Sequence, residues 1–357
     1  MKNNLKISFI IPFTEKTGGI LVVLEYYRQL TKLGHKVNIY YPLLPYMDLI
    51  PNTLPIWRRI DIWIKRLLVN IVEFKTRLEL FSEHIPITPV LRITNPFITN
   101  ADIIVATAWP TAYSIANLSN SKGKKYYLVQ HYENWGGNEL KVDKSYQLAI
   151  GIITIAPWLT QLLKDKFRIN ILSEIHNGIR LDRFYPRPNK SFNKPSILMM
   201  IHENSWKGTE DGLTALSQIK STYPEVKIVL FGMCNPPVTN FEHEYYQNPP
   251  YNTLLLLYQN ATIFISPSHT EGWHLPPMEA MACMCAVVAT NVGCIPVLNN
   301  GNNLVLIKVR DPNSIFQSVA LLVTDPDQNQ RIAINGYNSI QDYTWESAAG
   351  KMQWLFQ

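Results

Sequence analysis

The sequence lacks the features of membrane-spanning and secreted proteins. None of its 357 residues lies in an uninterrupted apolar run of about 18 or more, the length that a bilayer-spanning helix needs. The early apolar run at residues 7–13 is too short for the core of a signal peptide, and it leads directly into a strand-loop-helix pattern. We therefore expect a cytoplasmic protein without a membrane span.

Cysteines are few, and their spacing is not that of metal sites. The four are Cys234, Cys283, Cys285 and Cys294, without a Cys-x-x-Cys pair, and the last three cluster where small apolar packing is expected. No Asp-x-Asp motif stands at a predicted strand end. We expect no disulfide, no structural zinc, and neither a metal nor another cofactor in the site.

The composition is that of an ordinary globular protein, with 46% hydrophobic and 17% charged residues and a net charge of +6. Neither an internal repeat nor a low-complexity tract is present. Apolar runs alternate with helical stretches, a pattern that indicates an α/β fold with parallel sheets. The predicted strands cover residues 6–11, 36–41, 103–106, 125–130, 151–155, 196–200, 227–231, 263–265, 286–289 and 304–307.

This length suggests two domains. The loop 183–195 is rich in proline and polar residues and precedes a new apolar run, so it is the predicted boundary. We expect two Rossmann-like domains that face each other across a cleft. The predicted domains are residues 1–186 and 187–343, followed by a terminal segment, 344–357.

Two carboxylates, Glu271 and Glu279, follow one predicted strand, 263–265. We place Glu271 in the loop after this strand and Glu279 in the first turn of a helix that starts at Pro277 or Met278. Ligands of open α/β sheets bind at this end of the strands, and ionised carboxylates accept hydrogen bonds from the hydroxyls of a sugar or a ribose. In the alternative, Glu279 only favours the positive helix end and Glu271 is solvated.

This segment, with its neighbours, closely resembles the donor-sugar motif of the retaining family 4 glycosyltransferases. The resemblance continues upstream, where a strand, two glycines, a helix and a second strand match the opening of that family, and it covers most of the chain except residues 43–98. The matching residues are Gly18-Gly19, Asn177-Gly178-Ile179, Phe184-Tyr185-Pro186, Lys207-Gly208, Ser266-Pro267-Ser268, Glu271 to Glu279 and Thr290-Asn291-Val292-Gly293.

The resemblance implies a GT-B fold, in which the first predicted domain binds the acceptor and the second binds a nucleotide diphosphate sugar as donor. It implies that Glu271 holds hydroxyls of the transferred sugar, that Glu279 binds the ribose, and that the backbone amides of Trp273, His274 and Leu275 face the sugar and the diphosphate. It also implies front-face displacement with retention of configuration and without a metal. By resemblance, the segment that begins at Thr344 forms a helix that crosses back onto the first domain.

Four further residues carry predicted roles. Lys207, just after a predicted strand, can stabilise charge on the departing phosphate, because preorganised cations act strongly there. Gly18 and Gly19 let the backbone approach an anion, although an ordinary loop before a helix is an alternative. His131 matches the family's histidine that contacts the donor sugar. Its neighbour Glu133 either orients it or is a solvated loop residue.

Two histidines depart from the family pattern. His202 stands where an arginine is usual, and His274 stands where a glycine is usual. Each imidazole is either a pH-dependent cation beside the diphosphate or a neutral hydrogen-bonding residue.

Residues 54–81 form the main unmatched feature. On a helix, they place an apolar stripe opposite basic residues. Such a basic amphipathic helix suits an anionic membrane surface, and the alternative is a helix packed on its own domain. The stripe contains Ile56, Ile60, Trp63, Ile64, Leu67, Leu68, Ile71, Phe74 and Leu78, and the mostly opposite charged residues are Arg58, Arg59, Lys65, Arg66, Glu73 and Arg77.

Together these observations predict a retaining glycosyltransferase of surface polysaccharide or glycolipid assembly. Its partners would be a nucleotide diphosphate sugar and a glycan or lipid-linked acceptor, without nucleic acid. Two alternatives stay open: a nucleotide-sugar epimerase or phosphorylase on a similar fold, and a degenerate nucleotide-sugar-binding subunit, suggested by His202.

Overall fold

The computed structural model describes residues 4–15, 17–80, 83–133 and 139–357. The chain divides into two compact units. The first runs to Asn177 and also includes Trp345–Gln357, and the second is Gly178–Thr344.

The described residues include no helix whose length and apolar character would let it cross a bilayer.

The first unit is a parallel sheet flanked by helices. Its strands, in the order β5-β2-β1-β6-β7-β8-β9, pair in parallel, and β3 and β4 form a separate antiparallel pair. In chain order the elements are β1 (Lys6–Ile10), α1 (Gly18–Lys32), β2 (Lys36–Pro42), α2 (Ile56–Glu73), β3 (Arg77–Leu80), β4 (Glu83–Pro86), β5 (Thr88–Val90), β6 (Ile103–Ala106), α3 (Trp109–Ala116), β7 (Lys124–Val129), α4 (Glu139–Ser145), β8 (Gly151–Thr154), α5 (Pro157–Phe167) and β9 (Ile171–Glu174).

The second unit repeats this architecture with six parallel strands in the order β12-β11-β10-β13-β14-β15. Its elements are β10 (Ser196–Ile201), α6 (Thr209–Thr222), β11 (Lys227–Gly232), β12 (Glu244–Gln247), α7 (Tyr251–Asn260), β13 (Ile263–Ser266), α8 (Leu275–Ala282), β14 (Ala286–Thr290), α9 (Ile295–Leu298), β15 (Val305–Ile307), α10 (Pro312–Thr324) and α11 (Pro326–Ile340). The last helix, α12 (Trp345–Phe356), belongs to the first unit.

The central strands form because their side chains are apolar on both faces. Every residue of β6, β13 and β14 is buried, as expected for parallel strands that helices cover on both sides. The core of the second unit packs Met199, Leu216, Val288 and Val319 together from strands and helices. This packing fixes the carboxyl ends of the strands, where the predicted site lies.

The observed boundary between the units, at Asn177–Gly178, precedes the predicted one at residue 186. The intervening residues pack within the second unit. The backbone N–H of Ile179 donates to the carbonyl of Tyr343 at 2.8 Å, and the ring of Phe184 meets the ring of Tyr258 edge-on at 5.9 Å. Buried contacts therefore determine this boundary, whereas prolines and polar residues marked the loop that follows it.

The predicted amphipathic helix over 54–81 is too long. Helix α2 ends at Glu73, and Phe74 follows it in a left-handed conformation with φ of 30°. Leu78, predicted in the apolar stripe, lies in strand β3, where Leu78 and Leu80 are buried and Glu79 is exposed. This alternation has the period of a strand, so residues 77–80 of the predicted helix belong to an antiparallel strand pair with β4, and the last predicted residue, Phe81, lies outside the described residues.

Candidate functional site

The predicted donor-site residues of the second unit lie where its sheet changes direction. Strand β10 is followed by β11 on one side, and β13, its other neighbour, is followed by β14 on the opposite side. Lys207 ends a short turn, Ser205–Lys207, after β10, and Glu271 lies in the loop after β13. In open α/β sheets, ligands bind at such a switch point.

Lys207 and Glu271 form a nearly buried ion pair. The Lys207 Nζ lies 2.8 Å from Glu271 Oε1 and 2.9 Å from Oε2, and the Ser268 hydroxyl donates to Oε1 at 2.8 Å. Burial acts to raise the pKa of Glu271, but the charge of Lys207 and the hydrogen bonds from Lys207 and Ser268 lower it. The carboxylate is therefore ionised and held by three side chains.

His274 is the third of these partners, and it is neutral. Its Nδ1 lies 3.2 Å from Glu271 Oε1, and its Nε2 lies 2.6 Å from the Ser266 hydroxyl. Only 4% of the side chain is exposed, and this burial lowers the pKa of His274 to about 4. The structure therefore favours the neutral hydrogen-bonding alternative for His274 in the free protein.

The backbone conformation at His274 is one that favours glycine, the residue that is usual at this position in the family. Its φ is 76°, in the left-handed region, where it precedes the first helical residue, Leu275. A side chain other than glycine in such a conformation costs on the order of 1–3 kcal/mol, which the surrounding structure must offset. Here the hydrogen bond with Ser266, the 3.2 Å approach of Nδ1 to Glu271 and the burial of the ring stabilise the conformation.

Two glycines allow the loops of the site to approach each other. A Cβ on Gly208, directly after Lys207, would lie 2.1 Å from the carbonyl oxygen of Pro267. A Cβ on Gly293 would lie 2.5 Å from the carbonyl oxygen of Trp273 and 2.9 Å from the Cβ of Glu271. Both glycines have positive φ, so glycine is required at each position for conformation and for space.

Glu279 lies in the second turn of α8, whereas the sequence placed it in the first. The helix begins at Leu275, because the two prolines that follow are tolerated in a first turn. The Tyr258 hydroxyl donates to Glu279 Oε2 at 2.8 Å. Burial raises the pKa of Glu279 to about 7, although the bond from Tyr258 opposes this shift. The carboxyl thus titrates near neutral pH.

Trp273 contributes its backbone to the site, and its side chain is part of the core. The indole is 3% exposed, and its Nε1 donates to the sulfur of Met278 at 3.0 Å. Its carbonyl accepts from the N–H of Cys294 at 2.5 Å. The indole therefore anchors the loop and lies away from solvent.

His202, at the end of β10, is also held as a neutral residue. Its Nδ1 accepts a hydrogen bond from the N–H of Asn204 at 3.0 Å, so this nitrogen carries no proton. Burial, and then the charge of Lys207, lower the pKa of His202. The structure therefore favours the neutral alternative for this histidine as well, and Lys207 is the cation that accompanies it.

Gly18, Gly19 and His131 lie in the first unit. Gly18 opens α1, and a Cβ there would meet no atom within 4 Å. Gln130 donates from Nε2 to the carbonyl of Gly19 at 3.2 Å, which ties the start of α1 to the segment that carries His131. The predicted glycine loop is thus the first turn of a helix that starts at the sheet's carboxyl edge.

His131 lies beside an aromatic ring and a carbonyl. Its ring meets Trp158 edge-on at 5.6 Å, and its Nδ1 lies 3.0 Å from the carbonyl of Tyr132. Glu133 is buried and accepts from the N–H of Trp109, the first residue of α3, at 2.9 Å. Burial raises the pKa of Glu133 to about 8, so this carboxyl is not a solvated loop residue. Its described hydrogen bond is with Trp109 and not with His131.

Sequence reasoning assigned no role to Ser266, Ser268, Tyr258 or Gly293, which hold the site residues in place. Both serines were part of the matched motif, and Ser268 stands three residues before Glu271, a spacing that fits a local hydrogen bond. Tyr258 lies on another helix, so no local pattern connects it with Glu279.

Comparison with known proteins finds that the chain is similar to glycosyltransferases. The family model described as glycosyl transferases group 1 matches residues 182–339. The capsular polysaccharide biosynthesis glycosyltransferase CapM of Staphylococcus aureus is 26% identical over 251 residues, which cover 63% of each protein. The N,N'-diacetylbacillosaminyl-diphospho-undecaprenol alpha-1,3-N-acetylgalactosaminyltransferase of Campylobacter jejuni is 25% identical over 185 residues, 46% of this chain and 48% of that protein. The chain thus matches less than two thirds of the length of either relative.

Solved structures extend the likeness to the whole fold. HepE of Anabaena, crystallised with UDP and glucose, superposes with a TM-score of 0.71 over 98% of both chains, at 14% identity. At this identity the likeness establishes the fold alone, which is the two-domain GT-B fold. Residues 182–339, all of which lie in the second unit, are thus similar to the group 1 glycosyl transferases.

Proposed function

We propose that this chain transfers a sugar from a nucleotide diphosphate sugar to a hydroxyl of a glycan or lipid-linked acceptor, in the assembly of a surface polysaccharide or glycolipid. The observation that carries the proposal is the Lys207–Glu271 ion pair at the switch point of the second sheet. The names of two matched relatives support this class of acceptor. One is named for capsular polysaccharide biosynthesis, and the name of the other describes transfer of a sugar to a diphospho-undecaprenol-linked sugar.

In this proposal, Lys207 has two partners in turn. In the free protein its ammonium is bound to both oxygens of Glu271. A diphosphate beside the loops would attract the same ammonium, and this exchange would leave Glu271 able to accept hydrogen bonds from sugar hydroxyls. As the bond to the sugar breaks, the charge of Lys207 would stabilise the leaving phosphate.

The finer chemistry rests on the resemblance to the retaining family 4 enzymes. We propose retention of configuration by front-face displacement, in which the leaving phosphate oxygen helps to deprotonate the acceptor. We also propose that the reaction needs no metal. Proton NMR of the product would identify the anomer, and turnover in EDTA would test the metal. Transfer of labelled sugar to an acceptor would distinguish this activity from epimerisation, and donor hydrolysis would distinguish it from binding alone.

Lys207→Ala should lower turnover by about a hundredfold to a thousandfold, because one preorganised donor to developing charge has that effect. Lys227→Ala is a matched control, since Lys227 also pairs with a glutamate, Glu244, at 2.6 Å, but at the amino end of its strand and in solvent. Donor hydrolysis by purified protein gives both rates. A Lys207 variant within a few-fold of the control would remove Lys207 from the mechanism.

We further propose that helix α2 binds an anionic lipid surface, which would bring the enzyme to a lipid-linked acceptor. None of its residues is buried. Polar groups attach the helix to its unit: Trp63 Nε1 donates to the carbonyl of Pro45 at 2.7 Å, and Asn70 donates to that of Leu43 at 2.9 Å. The exposed large apolar side chains are Ile56, Trp57, Ile60, Ile64, Leu68, Val69, Ile71 and Val72.

This arrangement favours a lipid surface over packing within the unit. An apolar face beside Arg58, Lys65 and Arg66 suits an anionic interface, where each basic residue contributes about 1 kcal/mol. Replacing these three with glutamine should weaken binding to phosphatidylglycerol vesicles by roughly a hundredfold. The control replaces three exposed basic residues elsewhere, Lys308, Arg310 and Lys351. A parent protein that does not sediment with such vesicles would contradict the proposal.

A further inference from the structure

We propose that His274 is a positioning residue that fixes the carboxylate of Glu271 through one oxygen and leaves the other oxygen to the donor sugar. The inference deepens the proposed function, since it rests on Glu271 accepting sugar hydroxyls. Residues of the same loop and of the preceding strand would then set the geometry of the sugar subsite.

The contacts of Glu271 are divided unequally between its two oxygens. Oε1 receives Lys207 at 2.8 Å, Ser268 at 2.8 Å and His274 at 3.2 Å. Among the described residues, the donor to Oε2 is Lys207, at 2.9 Å. If Lys207 moves to a diphosphate, Ser268 and His274 still hold Oε1, so that the carboxylate keeps its orientation and Oε2 can accept from a ligand.

The groups that face the two ring nitrogens of His274 indicate its tautomer. A carboxylate at neutral pH only accepts, so Nδ1 carries the hydrogen that faces Glu271. Nε2 then has a lone pair, and the Ser266 hydroxyl donates to it at 2.6 Å. The ring thus connects the end of β13 to the carboxylate.

The backbone of His274 shows that this side chain is retained against local preference. At φ of 76°, glycine would be unstrained, whereas histidine is not. Strained residues that persist within a site indicate function when their side chains make specific contacts. Here the contacts are Glu271 on one ring nitrogen and Ser266 on the other.

The first test needs no ligand. Protein labelled with nitrogen-15 in histidine should show a neutral His274 ring with its hydrogen on Nδ1 from pH 6 to 8.5, and Ser266→Ala should shift the ring toward the other tautomer. Glu271, Lys207 and Ser266 are the groups that face the ring. A ring that is protonated in this range, or that carries its hydrogen on Nε2 in the parent, would overturn the proposal.

The second test measures transfer with whichever sugar nucleotide of a UDP, GDP, ADP and TDP panel the parent uses fastest. His274→Gly, which relieves the backbone, should lower kcat by about tenfold to a hundredfold and leave the Kd of the nucleoside diphosphate unchanged. His274→Asn should recover part of the loss, because asparagine tolerates this conformation and its amide can donate to Glu271.

An epistasis measurement separates positioning from a general effect on the fold. In a Glu271→Gln background, His274→Gly should cause no further loss of kcat, because the residue that it positions is already altered. His243→Ala, a histidine of the same unit that is bonded to Thr239, is the control. Equal losses in both backgrounds would overturn the proposal. A parent without transfer activity would contradict the proposed function, and the NMR test would still decide whether His274 holds Glu271.

Discussion

At the scale of single residues, the two glutamates of one motif occupy opposite electrostatic environments. Glu271 is ionised because the charge of Lys207 and the hydrogen bonds from Lys207 and Ser268 outweigh the effect of its burial. The Glu279 carboxyl accepts a hydrogen bond from Tyr258, and desolvation raises its pKa to about 7. Two carboxyls that follow the same strand therefore need not carry the same charge, because Lys207 and Tyr258 come from other elements.

Glu279→Gln should change how stability depends on pH. In the folded protein Glu279 binds its proton more tightly than in the unfolded chain, where the pKa is near 4.5. Its contribution to stability is therefore fully present below about pH 4.5 and is lost as the pH rises through about 7. The glutamine variant should match the parent near pH 4.5 and exceed it at pH 8.5, by up to about 3 kcal/mol.

Urea denaturation at several pH values measures this difference. Glu271→Gln is the control, because the pKa of Glu271 is lowered and its contribution is lost as the pH falls. A Glu279 variant whose stability differs from the parent equally at all pH values would show that the carboxyl does not titrate differently in the folded state.

At the scale of elements, the sequence predicted the central strands and the edge strand β15, and it missed the short strands β3, β4, β5, β9 and β12. The runs at β6 and β13 are continuous and apolar, so composition identifies them. Strands β9 and β12 lie at the sheet edges and contain no buried residue, so only pairing with a neighbour makes them strands. The apolar stripe of α2 was recognised, but its end required the left-handed Phe74, which no periodicity indicates.

The same limit applies to the site. The carboxylates, Lys207 and the glycines were found because the motif is local. The neutral state of His202 and His274 depends on burial and on contacts with Asn204 and Ser266, and the sequence could state this only as an alternative.

Gly208→Ala should destabilise the second unit and lower activity. It would place a Cβ 2.1 Å from the Pro267 carbonyl at φ of 67°, and we expect a loss of about 2–5 kcal/mol from strain and crowding together. Gly301→Ala is a matched control, with φ of 88° and no atom within 4 Å of the new Cβ, so it should cost only the conformational part. Thermal unfolding compares the two, and equal losses would contradict the requirement for space at Gly208.

At the scale of the whole molecule, the chain enters and leaves the second unit through adjacent segments. Ile179 and Thr344 form a parallel bridge within this unit, next to the points where the chain passes to the first. Helix α12 then packs on the first unit. Trp345 meets Tyr26 of α1 edge-on at 5.5 Å, and Phe356 meets Tyr126 of β7 at 5.0 Å. The last residues of the chain thus complete the core of the first unit.

Trp345→Ala should therefore destabilise the first unit, although the residue before it, Thr344, belongs to the second. Trp345 is 2% exposed, and removing a buried tryptophan typically costs about 3–5 kcal/mol. Hydrogen exchange followed by mass spectrometry should show faster exchange in β1 and α1 and unchanged exchange in β10 and β13. Trp354→Ala, on the same helix but 80% exposed, should stay within about 0.5 kcal/mol of the parent. If exchange in β10 and β13 became faster to the same degree as in β1 and α1, the two units would unfold together, and the expected local effect would be contradicted. Destabilisation confined to the core of the first unit would leave exchange in β10 and β13 unchanged.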